Sequence, residues 1–136
     1  MKKYPLDYYD KFPFARKTVI FLEAAKTLYQ PTNRSWDNWE VTYYLISHSI
    51  ELAIKAVAVK KTGEAPFGHD KQELSERYRS ECEFTDDEME VIKQLKLLNN
   101  GKGGLRYDNK IKTEFLPSTF DSATQIVERL VSENFQ

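Results

Sequence analysis

The chain has 136 residues, 40% of them hydrophobic, which is enough to bury a core without disulfides, and we expect residues 1–136 to form one domain. Its 20 lysines and arginines offset 21 acidic residues, which excludes a global attraction to nucleic acid or to an anionic membrane. The single cysteine excludes an internal disulfide, and no apolar run approaches the roughly 20 residues of a membrane span, so we expect a cytoplasmic protein with no membrane partner.

The N-terminal segment is predicted to hold an extended arm followed by the first helix. Residues 1–13 combine several aromatic side chains with two prolines, a pattern that favours an aromatic arm packed on the body of the domain. From Phe14 to Tyr29 the apolar residues recur at intervals of three and four, and Pro31 follows closely. This spacing predicts an amphipathic helix that ends before the proline.

The longest predicted helix runs from Ser35 to about Thr62. Asn33 or Ser35 is its expected N-cap and Gly63 its expected end. Apolar residues recur on two of its sides, so we expect this helix to lie at the centre of the fold. Its two tryptophans are predicted to be core residues, with the seam of a dimer as the alternative.

Two further elements are predicted between this helix and residue 100. A short helix is expected near Asp70 to Arg79, because Leu74 and Tyr78 are four residues apart. Thr85 and Glu88 have the spacing of a capping box, in which each side chain binds the backbone amide of the other residue. We therefore predict a helix that begins there and continues to about residue 98.

The glycines in residues 101–104 must end that helix, since consecutive glycines destabilise helical structure. Residues 105–115 have no helical period and could hold a short extended piece. The last helix is predicted to begin at Ser118, after a proline. The expected fold is all-α: an antiparallel up-and-down helical bundle of four main helices plus one short helix.

Three short segments of the chain follow one another in the same order as the motifs of a known protein family. They are His48–Ala56, Gly68–Asp70 and Leu105–Tyr107. The first resembles the helix signature of HEPN domains, which are helical bundles of prokaryotic toxins, defence systems and nucleotidyltransferase partners. The second is similar to the histidine-led short helix of that family, and the third to its arginine-tyrosine segment ahead of the last helix. The resemblance covers most of the chain and implies a helical bundle.

RNA-cutting members of that family carry an arginine followed, after four to six residues, by a histidine. Neither His48 nor His69 has an arginine at that distance upstream. The resemblance therefore implies a non-catalytic member, of the kind that binds nucleotides or partner proteins and often forms dimers. We expect binding rather than enzymatic activity and name no catalytic residue.

His48, Glu51 and Lys55 are three and four residues apart, so they share one border of the central helix. A base, a carboxylate and a cation on one ridge favour a polar ligand site. The alternative is that Glu51 and Lys55 form an ordinary ion pair of about 0.2–0.5 kcal/mol, with His48 bonded to a nearby backbone group.

Three residues beyond the central helix are further candidates for ligand binding. Arg106 could grip a phosphate, and Tyr107 could stack on a base. His69 could act through its imidazole, although a helix-capping role beside Asp70 is the alternative. An arginine-tyrosine pair at the edge of a bundle is also common in packing.

The segment that holds Lys102, Gly103 and Gly104 is a weaker candidate for an anion-binding loop, because glycines let backbone amides approach a phosphate. The alternative is a connector whose glycines end a helix. No Glu-x-x-His motif of di-iron bundles occurs, and two histidines with one cysteine are too few for a structural zinc site. We therefore predict no metal and no cofactor.

The first hypothesis is a non-catalytic protein that binds a nucleotide or nucleic acid, including RNA, in a defence or toxin–antitoxin type system. The second is a dimeric protein-interaction module without a small ligand, which docks on a separately encoded partner protein. The third is an unconventional ribonuclease in which His48 and Glu51 or His69 act as acid and base, and this requires a convergent pocket. A homodimer is expected in the first two cases.

Overall fold

The structure, a computed structural model, describes residues 13–30, 36–98 and 117–135. The helices in these ranges are α1 (Pro13–Tyr29), α2 (Trp36–Thr62), α3 (Lys71–Arg77), α4 (Arg79–Cys82), α5 (Asp86–Leu98) and α6 (Pro117–Phe135). They confirm the all-α bundle, while the expected arm at 1–12 and the extended piece at 105–115 lie outside the described residues. No helix in these ranges has the length and apolar character needed to cross a membrane.

Helix α2 lies at the centre of the bundle, as its two apolar stripes predict. Residues 49–58 are buried without interruption. The α1 helix packs antiparallel against it: the Ser49 hydroxyl donates to the Thr18 carbonyl at 2.9 Å, while Leu28 and Trp39 line one small cavity further along. Both predicted and observed positions therefore make α2 the helix against which the others pack.

Hydrogen bonds between helices supplement the apolar core. The buried Tyr43 hydroxyl of α2 donates to the carbonyl of Leu95 in α5, and the Lys60 ammonium donates to the carbonyl of Asn134 in α6. Burial raises the pKa of Tyr43, so its hydroxyl stays a donor. The largest fully buried side chains come from five of the helices and include Leu22, Ile46, Ile50, Ile54, Leu74, Ile92 and Leu130.

Helix α5 begins with the predicted capping box. The Thr85 amide donates to the Glu88 carboxylate at 3.0 Å, and the Glu88 amide donates to the Thr85 hydroxyl at 3.2 Å. The same carboxylate accepts two hydrogen bonds from Arg129 of α6, at 2.9 and 3.0 Å. Glu88 therefore satisfies a helix end and also joins α5 to α6.

Three helix boundaries differ from the predictions. Pro13, expected in the arm, is the first residue of α1, and Pro117 starts α6 one residue before the predicted Ser118. Proline suits the first helical position because the amide that it lacks would have no partner there. The short helix expected between Asp70 and Arg79 ends at Arg77, since Tyr78 at φ −108° and ψ 23° leaves the helical region, and a further short helix, α4, begins at Arg79.

We expect Tyr43→Phe to lower the free energy of unfolding by about 1 kcal/mol, because the substitution removes the buried hydrogen bond to α5 and keeps the ring. Urea unfolding followed by circular dichroism measures this change. Tyr78→Phe is the matched control, since no hydrogen bond of the Tyr78 hydroxyl is found within the described ranges. Equal stability of the two variants would mean that the Tyr43 hydroxyl does not stabilise the bundle.

Candidate functional site

Glu51 is the centre of a polar cluster on the C-terminal half of α2. Its side chain is 6% exposed, and one of its oxygens, Oε2, lies 3.4 Å from Lys55 Nζ, 3.2 Å from His69 Nδ1 and 4.0 Å from His48 Nδ1. The four residues are hereafter called the Glu51 cluster. The structure therefore brings together four of the six residues predicted to bind a ligand, and one of them comes from outside α2.

The two charges on α2 are buried because this part of the helix is buried on every side. Lys55 follows Glu51 by one turn, so the two side chains lie above one another, and the Lys55 side chain is only 7% exposed. A buried ion pair differs from a surface pair, because each charge has lost its water and depends on its partner. The alternative of an ordinary ion pair between Glu51 and Lys55 therefore underestimates the coupling between the two charges.

His48 lies at the border of the same ridge. Its side chain is 45% exposed, and its ring meets the ring of Phe21 in α1 edge-on, with centroids 4.7 Å apart. Packing against α1 thus sets the plane of the imidazole, while Nδ1 faces Glu51 at 4.0 Å. The described contacts of this side chain are with a carboxylate and an aromatic ring rather than with the backbone.

The loop of residues 63–70 carries His69 back to the middle of α2. Gly63 ends α2 at φ 78°, with its amide bonded to the Val59 carbonyl at 2.9 Å, and Gly68 precedes His69 at φ 96°. These positive angles favour glycine and let the chain reverse direction. The His69 ring remains 83% exposed, so the cluster opens to solvent at this imidazole.

The N-cap of α3 is Asp70 and not His69. Its carboxylate accepts hydrogen bonds from the amides of Gln72 and Glu73 at 3.0 and 3.2 Å, and it pairs with Lys96 of α5 at 2.9 Å. The bond from Lys96 is the largest cause that lowers the pKa of Asp70. Because Asp70 caps the helix, the alternative capping role considered for His69 is unnecessary.

Lys71 is a cation that the sequence reasoning missed. It is the first residue of α3 and only 6% exposed, and burial lowers its pKa, while Glu51 and Asp70 act in the opposite direction. Within the described ranges its ammonium has neither a hydrogen bond nor an ion pair. A lysine directly after an N-cap is unfavourable beside the positive end of a helix dipole, and that position was the signal available in the sequence.

The charges at the cluster favour an anion. Lys55 and Lys71 carry two positive charges against the single carboxylate of Glu51, since Asp70 is paired with Lys96. Ammonium groups and imidazole N–H groups donate to phosphate or carboxylate oxygens. In the part of the chain that the structure describes, no group of three His, Cys, Asp or Glu residues is arranged to hold a metal ion.

The remaining predicted ligand-binding residues lie outside the described residues. These are Arg106 and Tyr107, together with Lys102, Gly103 and Gly104 of the weaker anion-binding loop. Lys96, in the last turn of α5, contacts Asp70 beside the cluster. The described part of α5 therefore ends near the cluster.

A concave surface away from the Glu51 cluster lies between α5 and α6. It encloses about 360 Å³ and is lined by Asp87, Glu88, Val91, Ser122, Gln125, Ile126 and Arg129. None of the predicted site residues lines this groove. Within it the Arg129 guanidinium already binds the Glu88 carboxylate.

A family model described as HEPN domain matches residues 15–133 of the chain. The match includes the whole Glu51 cluster and also the three segments whose resemblance to that family is visible in the sequence. The comparison with curated proteins and the comparison with solved structures each found no match.

We expect Glu51→Leu and Lys55→Met each to lower the free energy of unfolding by about 3 kcal/mol, because each change removes the charged partner on α2 from a buried charge. The double variant should lie within about 1 kcal/mol of the unchanged protein, since two apolar side chains need no partner. Urea unfolding at neutral pH measures all three.

The control is the exposed pair Glu73 and Arg77, which has the same spacing on α3 and a contact of 2.8 Å. Disruption of this exposed pair should lower the free energy of unfolding by about 0.5 kcal/mol or less, because water screens exposed charges. Additive losses in the Glu51 and Lys55 variants would show that the two buried charges are not coupled.

Asp70 should make the free energy of unfolding depend on pH in the acidic range. Its folded pKa is lowered, so its contribution is full above the unfolded value of about 3.9 and is lost as the pH falls through the folded pKa. Asp70→Asn keeps a capping side chain and removes the charge. We expect it to be less stable than the unchanged protein at pH 7 by about 0.2–1 kcal/mol, with a difference that shrinks below pH 4. A difference that does not vary with pH would contradict this role.

Proposed function

The chain belongs to the HEPN domain family, and on that basis we propose that it is a non-catalytic HEPN domain that binds a nucleotide or nucleic acid at the Glu51 cluster. One observation carries the proposal: the loop after α2 brings His69 and Lys71 to the buried pair of Glu51 and Lys55. A mostly buried group of cations that opens to solvent through an imidazole suits a phosphate better than a neutral ligand.

Lys71 is the residue expected to contribute most to phosphate binding. Its burial has a desolvation cost that no described ion pair offsets, and a bound anion would offset it. Lys55 is held by Glu51 at 3.4 Å and retains further N–H donors for a ligand. Glu51 itself would repel an anion, so its proposed role is to position Lys55 and His69 around it.

Arg106 and Tyr107 remain predictions of this proposal, as a second phosphate contact and as a base contact. Lys102, Gly103 and Gly104 stay weaker candidates for the same anion. Action in a defence or toxin–antitoxin type system, a homodimer and a separately encoded partner protein are further parts of the proposal, and they are supported by the family membership. A cytoplasmic location is also proposed, and it is supported by the single cysteine of the chain.

A specific contact favours a second candidate function, the unconventional ribonuclease. His69 Nδ1 lies 3.2 Å from Glu51 Oε2, and a carboxylate in this position orients an imidazole. The other ring nitrogen, Nε2, would then be free to exchange a proton with a substrate, and His48 Nδ1 lies 4.0 Å from the same carboxylate oxygen. In this reading His69 and His48 act as base and acid in place of the missing arginine-histidine motif.

We expect Lys71→Met to weaken the binding of AMP and of a short single-stranded RNA by about tenfold or more, because a charge-assisted hydrogen bond contributes roughly 1.5–3 kcal/mol. The fold should be kept or stabilised, since the variant removes a buried charge that has no described ion pair. Calorimetry for AMP and fluorescence polarisation for RNA, both at one fixed low salt concentration, measure the affinities.

Lys26→Met is the matched control. Lys26 pairs with Glu128 at 3.1 Å on α1 and α6, so its loss changes the net charge equally without touching the Glu51 cluster. Equal affinities in the Lys71 variant and the unchanged protein would contradict the proposal. Cleavage of the RNA during the assay would overturn its non-catalytic part, and loss of that cleavage in His48→Ala or His69→Ala would favour the second candidate.

A further inference from the structure

Phe67 is a large apolar side chain that packs on almost nothing. It is 92% exposed, against 54% for Ile20 and 47% for Val41, which are the other exposed large hydrophobic residues within the described ranges. Burial of a phenylalanine side chain stabilises a fold by about 1.5–3 kcal/mol, and the exposed Phe67 does not make this contribution. Phe67 therefore has no part in holding the bundle together.

The backbone keeps Phe67 close to His69, the exposed imidazole of the Glu51 cluster. Phe67 precedes His69 by two residues, so their Cα atoms are at most about 7 Å apart. The intervening Gly68 has φ 96°, and a Cβ at this glycine would meet no atom within 4 Å. Glycine is therefore favoured at residue 68 by its positive φ, and not because a side chain would clash with a neighbouring atom.

The neighbours of Phe67 argue against an apolar docking surface. Residues 60–65 and 67–69 are all exposed, and Lys60, Lys61, Thr62 and Glu64 are polar. A protein-docking or membrane-docking surface needs a contiguous apolar patch, and a single ring among polar residues does not form one. A single aromatic ring beside cations is instead the usual arrangement for stacking on a base while the cations bind the phosphate.

We propose that Phe67 is the base-stacking residue of this site, and that the site therefore takes an unpaired nucleobase carrying a phosphate. The proposal rests on phosphate binding at the Glu51 cluster and adds a ligand class to it. A free nucleotide or an unpaired residue of single-stranded RNA can offer the face of its base to the ring. A base inside a duplex cannot, because both of its faces are covered by its neighbours.

Phe67→Ala separates the base contact from the phosphate contact. We expect it to weaken AMP binding by about tenfold, since stacking on one base contributes roughly 1–3 kcal/mol, and to leave ribose 5-phosphate binding unchanged. Phe67→Leu should bind AMP as weakly as the alanine variant, because it keeps apolar bulk and loses the ring. Phe67→Trp should bind AMP at least as well as the unchanged protein, with quenching of the added tryptophan's fluorescence.

Single-stranded and duplex RNA of the same length and charge provide a second comparison. We expect the unchanged protein to prefer the single strand, and Phe67→Ala to lose most of that preference. Lys71→Met should lower the affinity for both ribose 5-phosphate and AMP. Calorimetry at one salt concentration gives all of these affinities.

The possible failures can be told apart. Unchanged AMP binding in Phe67→Ala, or full binding in Phe67→Leu, would overturn the stacking role while the loss in Lys71→Met still supported phosphate binding. Equal affinity of the unchanged protein for single-stranded and duplex RNA would overturn the unpaired-base requirement. Absence of binding of any of these phosphate compounds to the unchanged protein would overturn the proposed function itself.

Discussion

The carboxylate of Glu51 lies in a stretch of α2 that is buried on all sides, and the fold has to accommodate its charge. Residues 49–58 are buried without interruption, and Glu51 lies among them with a side chain 6% exposed. Such a charge costs several kcal/mol of desolvation unless cations and hydrogen-bond donors surround it. Lys55, one turn away on the same helix, provides one partner, and the imidazole of His69 provides another from outside α2.

The path of the chain after α2 is what brings His69 to Glu51. Gly63 and Gly68 adopt positive φ, and the loop between them returns to the middle of the helix that it has just left. Asp70 then caps α3 and binds Lys96, so the same loop reaches the end of α5. The loop of residues 63–70 thereby links the Glu51 carboxylate on α2 to the start of α3 and to Lys96 of α5.

The structural roles and the proposed binding roles fall on different residues of this region. Glu51, Lys55 and Asp70 are occupied by one another or by neighbouring groups, and their loss would be felt first as instability. Lys71 and Phe67 have no comparable structural task within the described residues: one is a buried cation without a described ion pair, and the other is an exposed ring. The proposed ligand would offset the cost of burying Lys71 and would cover the ring of Phe67.

Local patterns by themselves determined much of the architecture. Spacing at three and four residues predicted α1, α2, α5 and α6, and it placed His48, Glu51 and Lys55 on one ridge, because helix geometry fixes which side chains share a face. The capping box at Thr85 was equally local. The tertiary structure alone decided that this ridge is buried, that His69 joins it across a loop and that Phe67 is left exposed. Loops have no period, and the contacts that settle their course come from residues far apart in the chain.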